Sequence, residues 1–138
     1  MNRRFITTIC FLAFVVTVKA LMHGDIKFHI ELAMQMADAK GVAATMEDEP
    51  EIILEYKDSS QNITKAALEK LMVGFFAENQ PQSFSITHQG LFQNGVRHMT
   101  GTYVSTKGIR FEVYFEASYD EVEAHHHLTR MRIERIAE

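Results

Sequence analysis

Cysteine is almost absent from this sequence of 138 residues, and the single copy, Cys10, lies near its start. No cysteine follows the apolar segment around Cys10, so a lipid anchor on the chain is not indicated. A chain without cysteine beyond that segment suits an oxidising compartment. The apolar segment is also shorter than the roughly 20 residues that span a bilayer, which argues against a membrane protein.

Basic residues are also scarce beyond the first 20 positions. There the chain has 11 basic and 18 acidic residues, which is a net charge of −7. A domain this acidic is not expected to bind phosphate backbones through bulk charge, so no nucleic-acid partner is predicted. No motif specifies a reaction, and no cofactor is expected.

Residues 1–20 have the pattern of a secretory signal peptide. Two arginines precede the apolar residues 5–18, and the sequence VKA offers a small-residue cleavage site at Ala20, although lysine is unusual there. We therefore expect cleavage near Ala20 and a periplasmic or secreted protein. Residues 21–138 would then form a single domain with no stable membrane insertion. An uncleaved anchor is the alternative.

The first half of that domain reads as helix, strand and helix. Residues 25–46 carry apolar side chains at helix spacing, with a break before Asp38, which is expected to cap a second short helix. Residues 51–56 are a strand, residues 58–62 a polar loop, and Thr64 caps the clearest helix. The apolar stripe of that helix consists of Leu68, Leu71, Met72, Phe75 and Phe76.

Residues 83–134 predict four consecutive antiparallel strands. The dipeptides that begin at Asn94 and Lys107, NG and KG, mark two tight hairpin turns, and residues 119–123 mark a looser acidic turn. The whole chain is therefore expected to be an α+β protein, with helices packed on an antiparallel sheet.

The turns also predict a register for the strands. A two-residue KG turn pairs Val104 with Phe111, and a turn centred on Glu121 pairs Glu112 with Arg130 across the strands. A bulge at Gly90 keeps the preceding strand in phase. The core-facing side of the sheet is then apolar at one end and polar at the other. The polar end holds His88, His98, Thr100, His125 and His127.

Those five residues form the predicted ligand site, for a small polar molecule. Three histidines also suit zinc or copper, but this register places no acidic residue beside them, so no metal site is predicted. His126 is expected to point away. A lyase or isomerase that uses His88 or His98 as its base is the alternative, although no partner carboxylate lies on the same face.

The outer side of the predicted sheet carries an interface pattern. Its aromatic and apolar residues are Met99, Tyr103, Tyr114 and Leu128. Charged side chains frame them, as at many protein interfaces, so a homodimer is predicted through this face.

Several segments resemble known proteins. They are residues 37–40, 64–76, 81–90 (PQSFSITHQG), 101–102 and 130–134 (RMRIE). The chain resembles the nuclear-transport-factor-2-like cone fold, and it is most similar to the domain-of-unknown-function family 4783, small secreted proteins of Gram-negative bacteria. The resemblance covers residues 25–136 and implies a curved antiparallel sheet packed by N-terminal helices and one long helix. The family implies no active site, and the run HHH at residues 125–127 departs from its pattern.

Together these features predict a secreted, non-enzymatic domain that binds a small ligand or another protein.

Overall fold

The structure is a computed structural model that describes residues 25–47 and 51–137. The predicted signal peptide, residues 1–20, lies outside the described residues. The described elements are helices α1 (Ile26–Gln35), α2 (Ala39–Ala43) and α3 (Lys65–Glu78), and strands β1 (Ile52–Tyr56), β2 (Ser59–Ile63), β3 (Pro81–Leu91), β4 (Arg97–Ser105), β5 (Arg110–Asp120) and β6 (His125–Arg135).

Each helix begins where a capping side chain is available. Asp25 accepts a hydrogen bond from the backbone N–H of Lys27 at the start of α1, and Asp38 accepts from Gly41 at the start of α2. Thr64 accepts from Ala67 at the start of α3. A side chain that satisfies an end N–H group stabilises a helix by about 1 kcal/mol, which explains these starts. The predictions for Asp38 and Thr64 are confirmed.

The strands form one six-stranded sheet in the order β2-β1-β6-β5-β4-β3. β1 runs parallel to β6, and all other neighbours are antiparallel. Residues 58–62 were predicted as a polar loop, and this is wrong, because they lead into β2 at the sheet edge. Residues 59–62 of that edge strand are exposed and polar, so no apolar alternation marked it.

The turn between β4 and β5 is one residue longer than predicted. The backbone N–H of Ser105 donates to the carbonyl of Ile109 at 2.8 Å, and Gly108 donates to Ser105 at 2.9 Å. The loop therefore comprises residues 106–108, and Gly108 closes it with a φ of 81°. A three-residue loop that ends in a left-handed glycine is a common hairpin connection.

This extra residue reverses the two faces of β4. Val104 pairs with Arg110, so the predicted pairing of Val104 with Phe111 is wrong. A shift of one residue moves every side chain of a strand to the opposite face. The inward residues of β4 are Arg97, Met99, Gly101, Tyr103 and Ser105.

The pairing of β5 with β6 differs as well. Glu112 lies opposite Glu134, and Arg130 lies opposite Glu116, so the predicted pair of Glu112 with Arg130 is wrong. The acidic loop between these strands has no glycine or proline to indicate its length. The register therefore could not be derived from the turn.

Three bulges adjust the faces further. One leaves Thr129 of β6 without a cross-strand partner, and two in β3 do the same to Gln82 and Thr87. The bulge predicted at Gly90 is wrong, because Gly90 pairs regularly with His98. Each bulge switches the face to which the following residues of its strand belong.

Aromatic rings join α3 to the inner face of the sheet. The Phe75 ring lies 5.2 Å from the Tyr103 ring and 5.1 Å from the Phe111 ring, measured between centroids. The Tyr103 hydroxyl donates a hydrogen bond to the backbone carbonyl of Asn79 at the end of α3. Burial raises the pKa of this hydroxyl, so Tyr103 stays neutral and keeps its proton for that bond.

Three of the four residues predicted for an outer interface belong to this core. Met99 and Tyr103 have no exposed surface, and Leu128 is 1% exposed. Their predicted position on the outer face is wrong, because the β4 and β6 registers differ from those derived from the sequence. Tyr114 alone lies on the outer face as predicted.

Gly101 lies where β3 and β4 approach each other closely, and Gly74 of α3 serves as its control. An added methyl group at Gly101 would lie 2.7 Å from the Phe84 ring and 2.9 Å from the Ser85 carbonyl, whereas none of the described atoms lies within 4 Å at Gly74 of α3. We expect Gly101→Ala to lower the free energy of unfolding by about 1–3 kcal/mol. The control, Gly74→Ala, should raise it by about 0.5–1 kcal/mol. Urea denaturation measures both, and equal signs would contradict the packing described.

Candidate functional site

The polar end of the inner face is built around Arg97, the first residue of β4. Its guanidinium donates to Asp25 Oδ1 and to Gln89 Oε1, each at 2.7 Å. Asp25 caps α1 and Gln89 lies on β3, so helix and sheet meet at this contact. The Arg97 side chain is only 18% exposed and has more N–H donors than these two bonds use. The guanidinium is thus held in place, and it keeps N–H donors that these two hydrogen bonds do not use.

The charge on Asp25 depends on this contact. The hydrogen bond from Arg97 is the largest effect that holds the pKa of Asp25 below its ordinary value. The pair is therefore ionised at neutral pH, and about half of the Asp25 side chain remains exposed.

His126 and Tyr119 complete the same end. They are cross-strand partners, and their ring centroids lie 5.2 Å apart. Burial lowers the pKa of His126, and the positive charge of Arg97 lowers it further. A neutral imidazole at pH 7 has one nitrogen that donates and one that accepts. Below, Asp25, Gln89, Arg97, Tyr119 and His126 are called the Arg97 cluster.

The prediction that His126 points away from the inner face is wrong. The bulge at Thr129 shifts β6 by one residue, so His126 shares the face of buried Leu128. His126 and Arg97 were both missed by sequence reasoning. The sequence did contain a signal for the buried face of β4. The alternating residues Met99, Gly101, Tyr103 and Ser105 are as consistent with a buried face as the other alternating set, which was predicted to face inward.

His88, His98 and Thr100 lie on the other side of the sheet from the helices. His88 pairs with Thr100 as predicted, but outward and at the exposed edge strand. The His98 ring stacks on Phe92 at 4.5 Å and covers Gly90, where an added methyl group would lie 2.7 Å from Nε2. These residues therefore do not meet the Arg97 cluster across the inner face.

His125 and His127 also face outward, where each lies near a carboxylate. His125 Nε2 is 3.5 Å from Glu123 Oε2, and His127 Nδ1 is 3.1 Å from Glu47 Oε1. The five predicted ligand residues thus all lie on the outer face and do not line a pocket on the inner face as predicted. The expectation that no acidic residue lies beside the histidines is wrong.

The outer face around Tyr114 carries a network of charged side chains. Arg130 contacts Glu116 at 2.8 Å and Glu55 at 3.0 Å. The Arg132 guanidinium lies 4.9 Å from the centre of the Tyr114 ring, a cation–π contact. Burial and then Glu116 raise the pKa of Tyr114. The face is polar and internally paired, which differs from the apolar patch predicted there.

Among the described residues, no helix is both long and apolar enough to cross a membrane.

The Arg97 cluster makes the pKa of His126 a direct probe of its geometry. The ordinary value of 6.5 is lowered in the folded protein, so the unfolded chain binds a proton more readily just below pH 6.5. Stability should therefore decline as pH falls through that range.

We expect Arg97→Gln to raise the pKa of His126, because a repelling charge is removed and Asp25 is released. NMR titration measures it, with exposed Arg110→Gln as control, and an unchanged or lower pKa would contradict the cluster.

Comparisons with known proteins identify the family. The family model described as domain of unknown function (DUF4783) matches residues 28–134. The structure resembles that of a DUF4783 family protein from Bacteroides ovatus, with 23% identity, a TM-score of 0.71, and coverage of 83% of this chain and 98% of that one. A DUF4783 family protein from Bacteroides fragilis has 17% identity, a TM-score of 0.70, and coverage of 81% and 100%.

A more distant similarity supports the fold. An NTF-2 like protein of unknown function from Silicibacter pomeroyi has 13% identity, a TM-score of 0.55, and coverage of 90% of this chain and 97% of that one. No curated protein is significantly similar to this chain. The predicted cone-shaped α+β fold is confirmed, and the chain belongs to the domain of unknown function family DUF4783.

Proposed function

We propose that this protein is an exported, non-enzymatic domain that binds a small polar molecule at the Arg97 cluster. The observation that carries this proposal is the guanidinium of Arg97, which is mostly buried, held at 2.7 Å by two side chains, and left with unused donors. A fixed guanidinium recognises planar anionic groups such as carboxylates through paired hydrogen bonds. Because Asp25 and Gln89 already hold the guanidinium in place, ligand binding would cost little additional side-chain entropy.

The surroundings favour a ligand with both polar and apolar parts. Arg97 lies in register with Ala117, which is opposite Leu128, and both of these residues are buried. Neutral His126 and the half-exposed Tyr119 ring lie at the rim of the same end. A carboxylate attached to a small apolar body fits this combination.

The lyase or isomerase alternative has less support. His88 and His98, its suggested bases, lie on the outer side of the sheet. His126 occupies the inner face, but in the described part of the chain no carboxylate forms a hydrogen bond with it. A base needs such a partner, or an equivalent environment, to tune its pKa.

Native mass spectrometry of the protein purified from its own periplasm tests the proposal. A small-molecule adduct should appear on the parent chain and on the control Arg110→Gln. Arg97→Gln should reduce adduct occupancy about tenfold or more, since a lost charge-assisted hydrogen bond costs about 1.5–3 kcal/mol. A parent chain without an adduct, or one retained equally by Arg97→Gln, would contradict the site. The mass of the chain also reports export: a chain beginning at residue 21 supports it, and residues 1–20 retained would count against it.

An exposed stripe on α1 favours protein binding as a second candidate function. Phe28 and Leu32 of α1 and Met36, which directly follows the helix, recur at every fourth position and are 60%, 47% and 70% exposed. Side chains four residues apart lie on one face of a helix, so the three form a continuous apolar surface. Self-association is the simplest form of this candidate, and it replaces the predicted dimer surface of which three residues proved to be buried.

Sedimentation velocity tests the self-association. We expect the parent chain to be a dimer and Leu32→Glu to be a monomer, because a charge would be buried in the interface. Val73→Glu is the matched control, since Val73 is an exposed apolar residue on α3, 58% exposed and away from the stripe. A monomeric parent would contradict self-association, and a dimer lost only on Tyr114→Ala would place the interface on the outer sheet face.

A further inference from the structure

Three potential metal ligands meet at the outer rim of the sheet. Glu47, Asp120 and His127 each offer one ligand atom, and these atoms all lie within 4.8 Å of one another. Ligands of one ion that binds at about 2.0–2.2 Å lie within such a distance of each other. Asp120 and His127 belong to one hairpin, whereas Glu47 is distant in sequence, so only the folded chain brings Glu47 to the other two.

One candidate ligand atom is buried against a carboxylate but lacks a hydrogen bond. Nδ1 of His127 is fully buried and forms no hydrogen bond. It lies 3.1 Å from Oε1 of Glu47, so it is close to that oxygen without the geometry of a hydrogen bond. A buried nitrogen without a partner is costly, and a bound cation would satisfy it together with the carboxylate.

The backbone holds all three residues in place. The N–H of Leu128 donates to the carbonyl of Thr45 at 2.7 Å, which fixes the chain at Glu47 beside the strand that carries His127. One oxygen of Asp120, Oδ1, accepts from the N–H groups of Val122 and Glu123 at 2.8 and 3.1 Å. The carboxyl group is thereby oriented, and it also contacts the side chain of Glu47, the other carboxylate of the cluster.

We infer that Glu47, Asp120 and His127 form a binding site for a divalent cation, with Zn²⁺ as the best match. An imidazole nitrogen and carboxylate oxygens are established zinc ligands, and three protein ligands leave a position for water or another molecule. The two carboxylates supply two negative charges, which balance the ion, and a neutral histidine adds none. This site is on the outer side of the sheet, and it shares no residue with the Arg97 cluster.

Isothermal titration with zinc chloride tests the inference. The full chain would be expressed without an oligohistidine tag and treated with a chelator before titration. We expect one zinc ion per chain. Glu47→Gln and Asp120→Asn should each weaken zinc binding at least about tenfold, because replacing a residue that only hydrogen-bonds to a metal ligand already changes metal affinity by about 10–100-fold. Asparagine preserves the acceptor for the turn at residue 120, so the fold should hold.

The control is Glu123→Gln, which removes the same charge from the loop after Asp120, where the Glu123 side chain contacts His125 and not the cluster, and it should leave zinc affinity unchanged. A second readout is the ring ¹⁵N shift of His127, which should change on adding zinc and identify Nδ1 as the ligand. The inference would be overturned by a parent chain that binds no zinc at millimolar concentration. It would equally be overturned if both substitutions left zinc affinity unchanged, or if Glu123→Gln weakened it as much as they did.

Discussion

The packing of this protein depends on how β4 is placed against β5, and one short turn decides that placement. The loop 106–108 ends at Gly108 with a φ of 81°, which puts Tyr103 opposite Phe111. The Tyr103 ring can then contact Phe75, and its hydroxyl can reach the end of α3. With a loop one residue shorter, the same strand would present threonines and a histidine to the helices, and these could not replace the aromatic contacts.

The two faces of the sheet have different chemistry at the same end because of the bulges. At Thr129 the bulge places His126 inward, beside Arg97, and His127 outward, beside Glu47. Adjacent histidines thus belong to two separate sites. The inner one is organised by a fixed guanidinium and the outer one by two carboxylates. The two clusters lie on opposite faces of the same sheet and share no residue, so a substitution in one removes no residue of the other.

Much of the fold could be predicted because its signals are local. Capping residues mark the helix starts at Asp38 and Thr64, and the dipeptide at Asn94 marks a hairpin. The site could not be predicted in the same way, since it depends on register. The acidic loop before His125 has no residue that determines its length, and none of the three bulges has a sequence signal stronger than the one assumed at Gly90. Each such error reverses the faces of a whole strand.

By itself, the sequence determined the order of the helices and of the strands other than β2, the family and the acidic character of the chain, because periodicity, capping and turn residues act over a few positions. Only the tertiary structure decided which histidine faces inward, which aromatic residues are buried, and which residues meet at each site. Asp25 and Arg97 are far apart in the chain, and Glu47 and His127 are farther still. Contacts of this kind arise from strand register and from the docking of α1, and no local pattern encodes either one.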